Sequence, residues 1–154
     1  MEKRKELIVS AIENGTVIDH IPANKVFEVI KILGLDNCDC PVYFGTNLES
    51  KKYGTKGIIK ISNKFFKSEE INKIALVAPT ATLIEIKEFE VVNKHIVEIP
   101  DRIEGIVKCF NPKCVTNVEK VMTKFTVKKN EFGKIQLRCH YCEKFTTEEN
   151  MEFL

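Results

Sequence analysis

Six cysteines carry the chemistry that spacing alone can define. Cys109 and Cys114 have four residues between them and Cys139 and Cys142 have two, with 24 residues separating the pairs, giving C-x4-C-x24-C-x2-C. Each short loop can set two thiolates on one side of a tetrahedron, and bringing the pairs together completes the all-sulfur shell that Zn²⁺ prefers. Four sulfurs leave no open position for a substrate, so the pattern predicts one structural zinc ion and no catalytic metal. The competing chemistry is a pair of disulfides, which needs an oxidising compartment, and the sequence offers no targeting segment to reach one. His140 lies between two of the ligands and is expected to point outward. Cys38-Asp39-Cys40 is too tight for a four-ligand site without a second pair and reads as free thiols, partly buried.

The elements that must position these sulfurs are short. Lys124 to Lys128 and Lys134 to Arg138 alternate strictly in polarity around Asn130 to Gly133, which predicts a hairpin of half-buried strands. About 50 residues form a marginal core without an added constraint, and a zinc ion supplies one. The boundary of this small all-β zinc domain is placed near Glu98 to Asp101, where Pro100 removes a backbone donor, giving domains 1–100 and 101–154.

The first part reads as α+β. Leu7-Ile8-Val9 and Thr16-Val17-Ile18 flank the turn dipeptide Asn14-Gly15 and predict two strands. Pro22 suits a first helical turn, and Ala23, Val26, Phe27, Ile30 and Leu33 are spaced as a buried stripe that Gly34 stops. Val42 to Phe44 and Ile58 to Ile61 read as strands around a polar loop from Asn47 to Gly57. A second helix is expected after Ser68, capped by its hydroxyl, with Ile71, Ile74, Ala75 and Ala78 inward and Pro79 at its end. Thr82 to Lys87 and Val91 to Ile99 supply two more strands. The order β-β-α-β-β-α-β-β predicts a mostly antiparallel sheet with both helices on one face, a ferredoxin-like sandwich.

Composition narrows the partners. The 154 residues are 44% hydrophobic and 30% charged, with 24 basic side chains against 22 acidic, so the net charge is +2. That lacks the large positive excess of a chain built to neutralise a nucleic-acid backbone. Lys120, Lys124, Lys128, Lys129, Lys134 and Arg138 near the zinc hairpin keep a zinc-ribbon nucleic-acid binder as the alternative. No apolar run approaches the roughly 20 residues that cross a bilayer, so no membrane partner is expected and the expected compartment is the cytoplasm. Neither G-x-G-x-x-G nor G-x-x-x-x-G-K-[ST] occurs, so the common phosphate-cradling loops are missing. Lys56 and Lys60 nevertheless share one face of a strand, and with Lys94 on a neighbouring strand beside Asp19-His20 they form a candidate polyphosphate and ribose site. The competing reading is a solvated sheet face dotted with lysines.

Thr16 to Ala23, the Lys56/Lys60 strand, Glu90-Val91-Val92 and the cysteine set ending in Cys139-His140-Tyr141-Cys142-Glu143-Lys144 together resemble the regulatory chain of aspartate carbamoyltransferase. The resemblance covers nearly the whole chain. It implies a non-catalytic subunit of pyrimidine nucleotide biosynthesis in which residues 1–100 bind the allosteric effectors CTP and ATP and residues 101–154 grip the catalytic chain. Two catalytic trimers would be bridged by three regulatory homodimers. By position, Val9, Ala11, Ile12, Val17, Ile86 and Val91 would line the base and ribose pocket. Asp19 and Lys60 would select ribose and base features, and His20, Lys56 and Lys94 would meet the phosphates. Asn111 and Glu143 match positions that face the catalytic chain. Ile84, Phe89 and Lys113 depart from the family pattern, where an amide, a tyrosine and an asparagine can stand.

Overall fold

The computed structural model describes residues 11–52 and 54–154. The chain divides into two compact units, Met1–Glu98 and Ile99–Leu154.

The first unit is an antiparallel sheet layered with helices. Strand β1 (Gly15–Ile21) leads through a 3-10 turn (Ala23–Lys25) into helix α1 (Val26–Ile32). A second 3-10 turn (Leu35–Asn37) precedes β2 (Val42–Ser50) and β3 (Gly54–Ser62), and α2 (Ser68–Val77) leads to β4 (Thr82–Lys87) and β5 (Glu90–Ile96). The strands lie in the order β2-β3-β1-β4-β5, with every neighbouring pair antiparallel. The first four elements of that order are the strand arrangement of a ferredoxin-like sandwich, with β5 added at one edge. The expected strand Leu7-Ile8-Val9 lies outside the described residues.

Why this sheet holds together is visible in its alternation. Ile18, Ile59, Ile61 and Leu83 are at most 1% exposed on the face that meets the helices, each contributing about 1.5–3 kcal/mol relative to an exposed side chain. Helix α1 supplies Val26, Val29 and Leu33, and α2 supplies Ile74, Ala75 and Leu76, all buried. Gly57 lets α1 approach: a Cβ there would overlap Val26 Cγ2, so the helix sits against the bare backbone of β3.

Four expectations change in this unit. Phe27 is not in the buried stripe but 64% exposed, its ring edge on Phe44 with centroids 5.6 Å apart. Val26, Val29 and Leu33, spaced i, i+3 and i+7, define the inward face, and Phe27, about 100° round the helix from Val26, falls off it. The polar segment Asn47 to Gly57 is largely strand, since Leu48, Glu49 and Ser50 pair with Lys56, Thr55 and Gly54 after a register shift beyond Gly45. Ladder hydrogen bonds extend there with few apolar side chains because the sheet end is largely solvated. Ser68 is the first residue of α2 rather than its cap, and the Lys67 N–H donates to Glu70 Oε1 at 3.3 Å. Cys38 and Cys40 are joined in a disulfide, their Cα atoms 5.4 Å apart. The 3-10 turn and an extended Cys38 bring them within disulfide reach.

The second unit contains β6 (Arg102–Glu104), β7 (Val107–Lys108), the single turn α3 (Val115–Val118), β8 (Lys124–Lys129), β9 (Ile135–Cys139), β10 (Phe145–Thr147) and β11 (Glu152–Phe153). One sheet runs β10-β9-β8-β6, and β11 pairs with β7. The expected hairpin is β8–β9, with Phe125 opposite Cys139 and Val127 opposite Leu137. Ile103, Val107, Phe125, Ile135 and Leu137 form its small core.

Candidate functional site: a four-thiol centre and a charged sheet face

Two short loops bring the sulfurs of the second unit together. In the first, the Cys114 N–H donates to the Asn111 carbonyl at 3.0 Å, and the Lys113 N–H to Asn111 Oδ1 at 3.1 Å. Asn117 closes the loop from below, its Nδ2 donating to the carbonyls of Cys109 and Asn111 at 2.9 and 2.8 Å. In the second, the Glu143 N–H donates to the Cys139 carbonyl at 3.0 Å with Glu143 at φ 62°, a tight knuckle. The four Sγ atoms all lie within 4.8 Å of one another, Cys109 to Cys142 at 3.6 Å and Cys114 to Cys139 at 3.7 Å. A zinc tetrahedron with Zn–S bonds of about 2.3 Å has sulfur–sulfur edges of about 3.8 Å, so these residues fit one structural zinc ion.

The thiols are tuned unequally. Burial pushes Cys109 and Cys139 up from the ordinary thiol range. Burial also opposes ionisation of Cys142, but the Lys144 N–H, the Asn111 side chain and the neighbouring thiols outweigh it and hold the group at about 7. Binding zinc removes protons from all four in any case, because only thiolates ligate. His140 is outside the cluster, exposed, with its ring edge-on to Tyr141 at 5.1 Å. Sequence reasoning missed Asn117, for which an asparagine three residues past a ligand cysteine was the available signal, and the hold of Asn111 on Cys142.

The candidate nucleotide residues gather on the sheet face away from the helices. Residues opposite one another in a ladder share a face, and one row crosses the sheet as Tyr43, Lys60, Val17, Ile84 and Lys94. Ile12, Val17 and Ile86 form a buried cluster on this face, with Ile58 and Ile84 packed against it. Val91, opposite Ile86, is exposed, as is Ala11; Val9 lies outside the described residues. Lys94 stands on β5, separated from the β3 lysines by β1 and β4 rather than on a neighbouring strand. The offset is three strand spacings, roughly 14 Å between strand axes, so Lys94 stands well apart from the β3 lysines on the same face.

At one end of this face the β1–β3 register slips between Ile18 and Ile21, a bulge that sets His20 at φ 57°. Such a bulge re-aims side chains. Asp19 Oδ1 accepts from the His20 N–H and from Lys56 Nζ, each at 2.7 Å. The His20 ring meets Thr82 Oγ1 at 3.1 Å, while Thr80 Oγ1 donates to the His20 carbonyl at 2.8 Å. Neither threonine was singled out in the sequence, where their alternation around Ala81 was the only hint. Burial opposes the charge on Asp19, but Lys56 and the His20 N–H prevail and hold its carboxyl below the usual carboxylate range. Burial lowers Lys60, with Asp19 pulling the other way.

Asn111 is half-buried and Glu143 is exposed, 3.5 Å from Arg138 Nη2. Lys113 is exposed, and Phe89 with Glu88 makes a two-residue hairpin turn with both φ angles positive.

Residues 7–98 match the family model described as aspartate carbamoyltransferase regulatory chain, allosteric domain, and residues 101–152 match its metal binding domain. The chain is 54% identical over 148 residues to the aspartate carbamoyltransferase regulatory chain of Pyrococcus furiosus, covering 95% of this chain and 96% of the relative. It is 49% identical over 153 residues to that of Bacteroides thetaiotaomicron, covering 99% of each. With that of Parabacteroides distasonis it shares 48% over 150 residues, covering 97% and 96%.

Proposed function

The chain belongs to the family of aspartate carbamoyltransferase regulatory chains, and on that premise we propose that it transmits the binding of CTP or ATP to a catalytic chain docked on its zinc domain. It is a regulatory subunit and does no chemistry itself. The observation that carries the proposal is that both halves of the chain match, in order, the allosteric and metal-binding domains of one family. Family membership does not favour the nucleic-acid alternative.

In this reading Ile12, Val17, Ile86 and Val91, with Val9 and Ala11, receive the base and ribose. Asp19 and Lys60 select among base and ribose features. His20, Lys56 and Lys94 meet the phosphates. Lys56 starts out paired with Asp19, so a phosphate competes with a carboxylate for the same ammonium group. Ile84 in the middle of the row offers no polar group, so discrimination between bases falls to Asp19 and Lys60. The functional division 1–100 and 101–154 follows from the same reading, as does a cytoplasmic setting.

Asn111 lies within the first zinc loop and Glu143 directly follows the second, where a metal-fixed backbone can present them to the catalytic chain. A homodimer is supported by β2, an edge strand of nine residues that carries half-exposed Tyr43 and Phe44 with Phe27 beside them; edges of this kind template pairing with another copy. Coupling between nucleotide and active site is of order 1–3 kcal/mol in such systems.

The deciding experiment mixes the zinc-loaded chain with a catalytic trimer. A larger complex forms, and its aspartate response shifts with CTP or ATP. A complex indifferent to every nucleotide would refute the proposal.

A further inference from the structure

The Cys38–Cys40 disulfide takes no part in effector binding or docking as read above. Its two cysteines are each partly exposed and Asp39 between them is exposed, in contrast to the buried Cys109, Cys114 and Cys139. Only one residue separates the pair. A ring this small removes little conformational freedom from the unfolded chain, so the bond adds little to stability and the fold persists in either state. Exposed disulfides are the labile ones. The Cys40 N–H donates to Cys38 Sγ at 3.3 Å.

Position gives the bond a consequence. Cys40 is followed by Pro41, whose carbonyl accepts from the Ser62 N–H at 3.0 Å, and then by Val42, the first residue of edge strand β2, opposite Ile61. Before it, the Cys38 N–H closes the 3-10 turn on the Leu35 carbonyl. The ring therefore sits between a helical turn and the first rung of a sheet edge.

We propose that Cys38 and Cys40 form a thiol–disulfide exchange site, opened and closed by a low-molecular-weight couple of the glutathione class, and that closing it firms the start of β2. In closure, the Cys38 thiolate attacks one sulfur of the external disulfide, forming a mixed disulfide and expelling one thiolate. The Cys40 thiolate then attacks the Cys38 sulfur and expels the second. Two protein thiols are oxidised, one external disulfide is reduced to two thiols, and the protons released by the cysteines end on the departing sulfurs. Opening is the reverse. The Asp39 carboxylate slows attack on an anionic disulfide without blocking it.

The test uses the full-length, zinc-loaded chain equilibrated anaerobically with glutathione and glutathione disulfide at a series of ratios, followed by thiol alkylation and peptide mass spectrometry. The peptide holding Cys38 and Cys40 is expected to pass from two alkyl groups to none as the ratio becomes oxidising, while the zinc content stays stoichiometric. Hydrogen exchange at residues 42–44 is expected to slow severalfold in the closed form. Cys40→Ser should halt at a mixed glutathione adduct on Cys38. Persistence of both free thiols at the most oxidising ratio, accumulation of the adduct in the wild-type chain without closure, or identical exchange of the β2 amides in both forms would each overturn the proposal. No nucleotide or catalytic chain enters the measurement, so its outcome is independent of the effector reading.

Discussion

The two units hold themselves together by opposite means. The first spreads its stability over many apolar contacts: Ile18, Ile59, Ile61, Ile74 and Leu83 are each almost fully buried, and no one of them decides whether the sheet forms. The second has a core of a handful of side chains and concentrates the rest in four sulfurs within 4.8 Å of one another. A distributed core degrades gradually under mutation, whereas a single centre fails all at once. This suits a division of labour in which one unit yields to a ligand while the other stays rigid against a partner.

The largest expected effect tests the concentrated side. Cys114→Ser removes one of four ligands, and structural zinc is worth about 10–16 kcal/mol of apparent binding energy, more than the total stability of most small domains. The second unit should lose its fold and release the catalytic chain while nucleotide binding persists; an unchanged zinc content would contradict this. Chelation of the wild-type chain should do the same.

Next in size is a cavity in the distributed core. Ile18→Ala should cost the first unit about 2–5 kcal/mol, read as a shifted denaturant midpoint with zinc still bound. An equal loss of zinc would break the comparison.

Smaller again, Lys94→Ala should weaken nucleotide binding about tenfold, or about 1.4 kcal/mol, without disturbing assembly. Calorimetry giving wild-type affinity would remove Lys94 from the site.

The smallest effect is in pH. The Asp19 carboxyl is held below its ordinary value in the folded chain, so its contribution to stability is complete above the usual carboxylate range and is lost as pH falls through the folded value. Asp19 and Lys56 keep a fifth of their side-chain surfaces or thereabouts in contact with water, and solvent screening keeps the loss modest. Thermal unfolding followed downward from about pH 6 should show a dip that Asp19→Asn flattens.

How much of this was legible in the sequence differs between the units for the same physical reason. The zinc centre could be read because each cysteine pair is local, with two or four residues between ligands, and the intervening hairpin announces itself by strict alternation. The sheet's strands and α1's approximate place could be read from periodicity and from Pro22 and Gly34. The exact inward face of α1 could not, because Val26, Val29 and Leu33 fit the helical period as well as the stripe through Phe27 does. Nor could the lysine row: Lys60 and Lys94 share it only through three ladders whose registers are set by backbone pairing. The contact of Asp19 with Lys56 depends on a bulge at His20 that no residue type advertises. The Cys38–Cys40 bond likewise depends on the turn that precedes it.

Gly57 has a mechanical consequence. With no side chain between them, α1 lies directly on β3 at Gly57, the residue after Lys56 and the ladder partner of Ile21. A ligand pulling on Lys56 or Lys60 from the front would then be expected to press on the helical layer behind the strand, carrying its effect as a shift of a layer instead of the swing of one side chain.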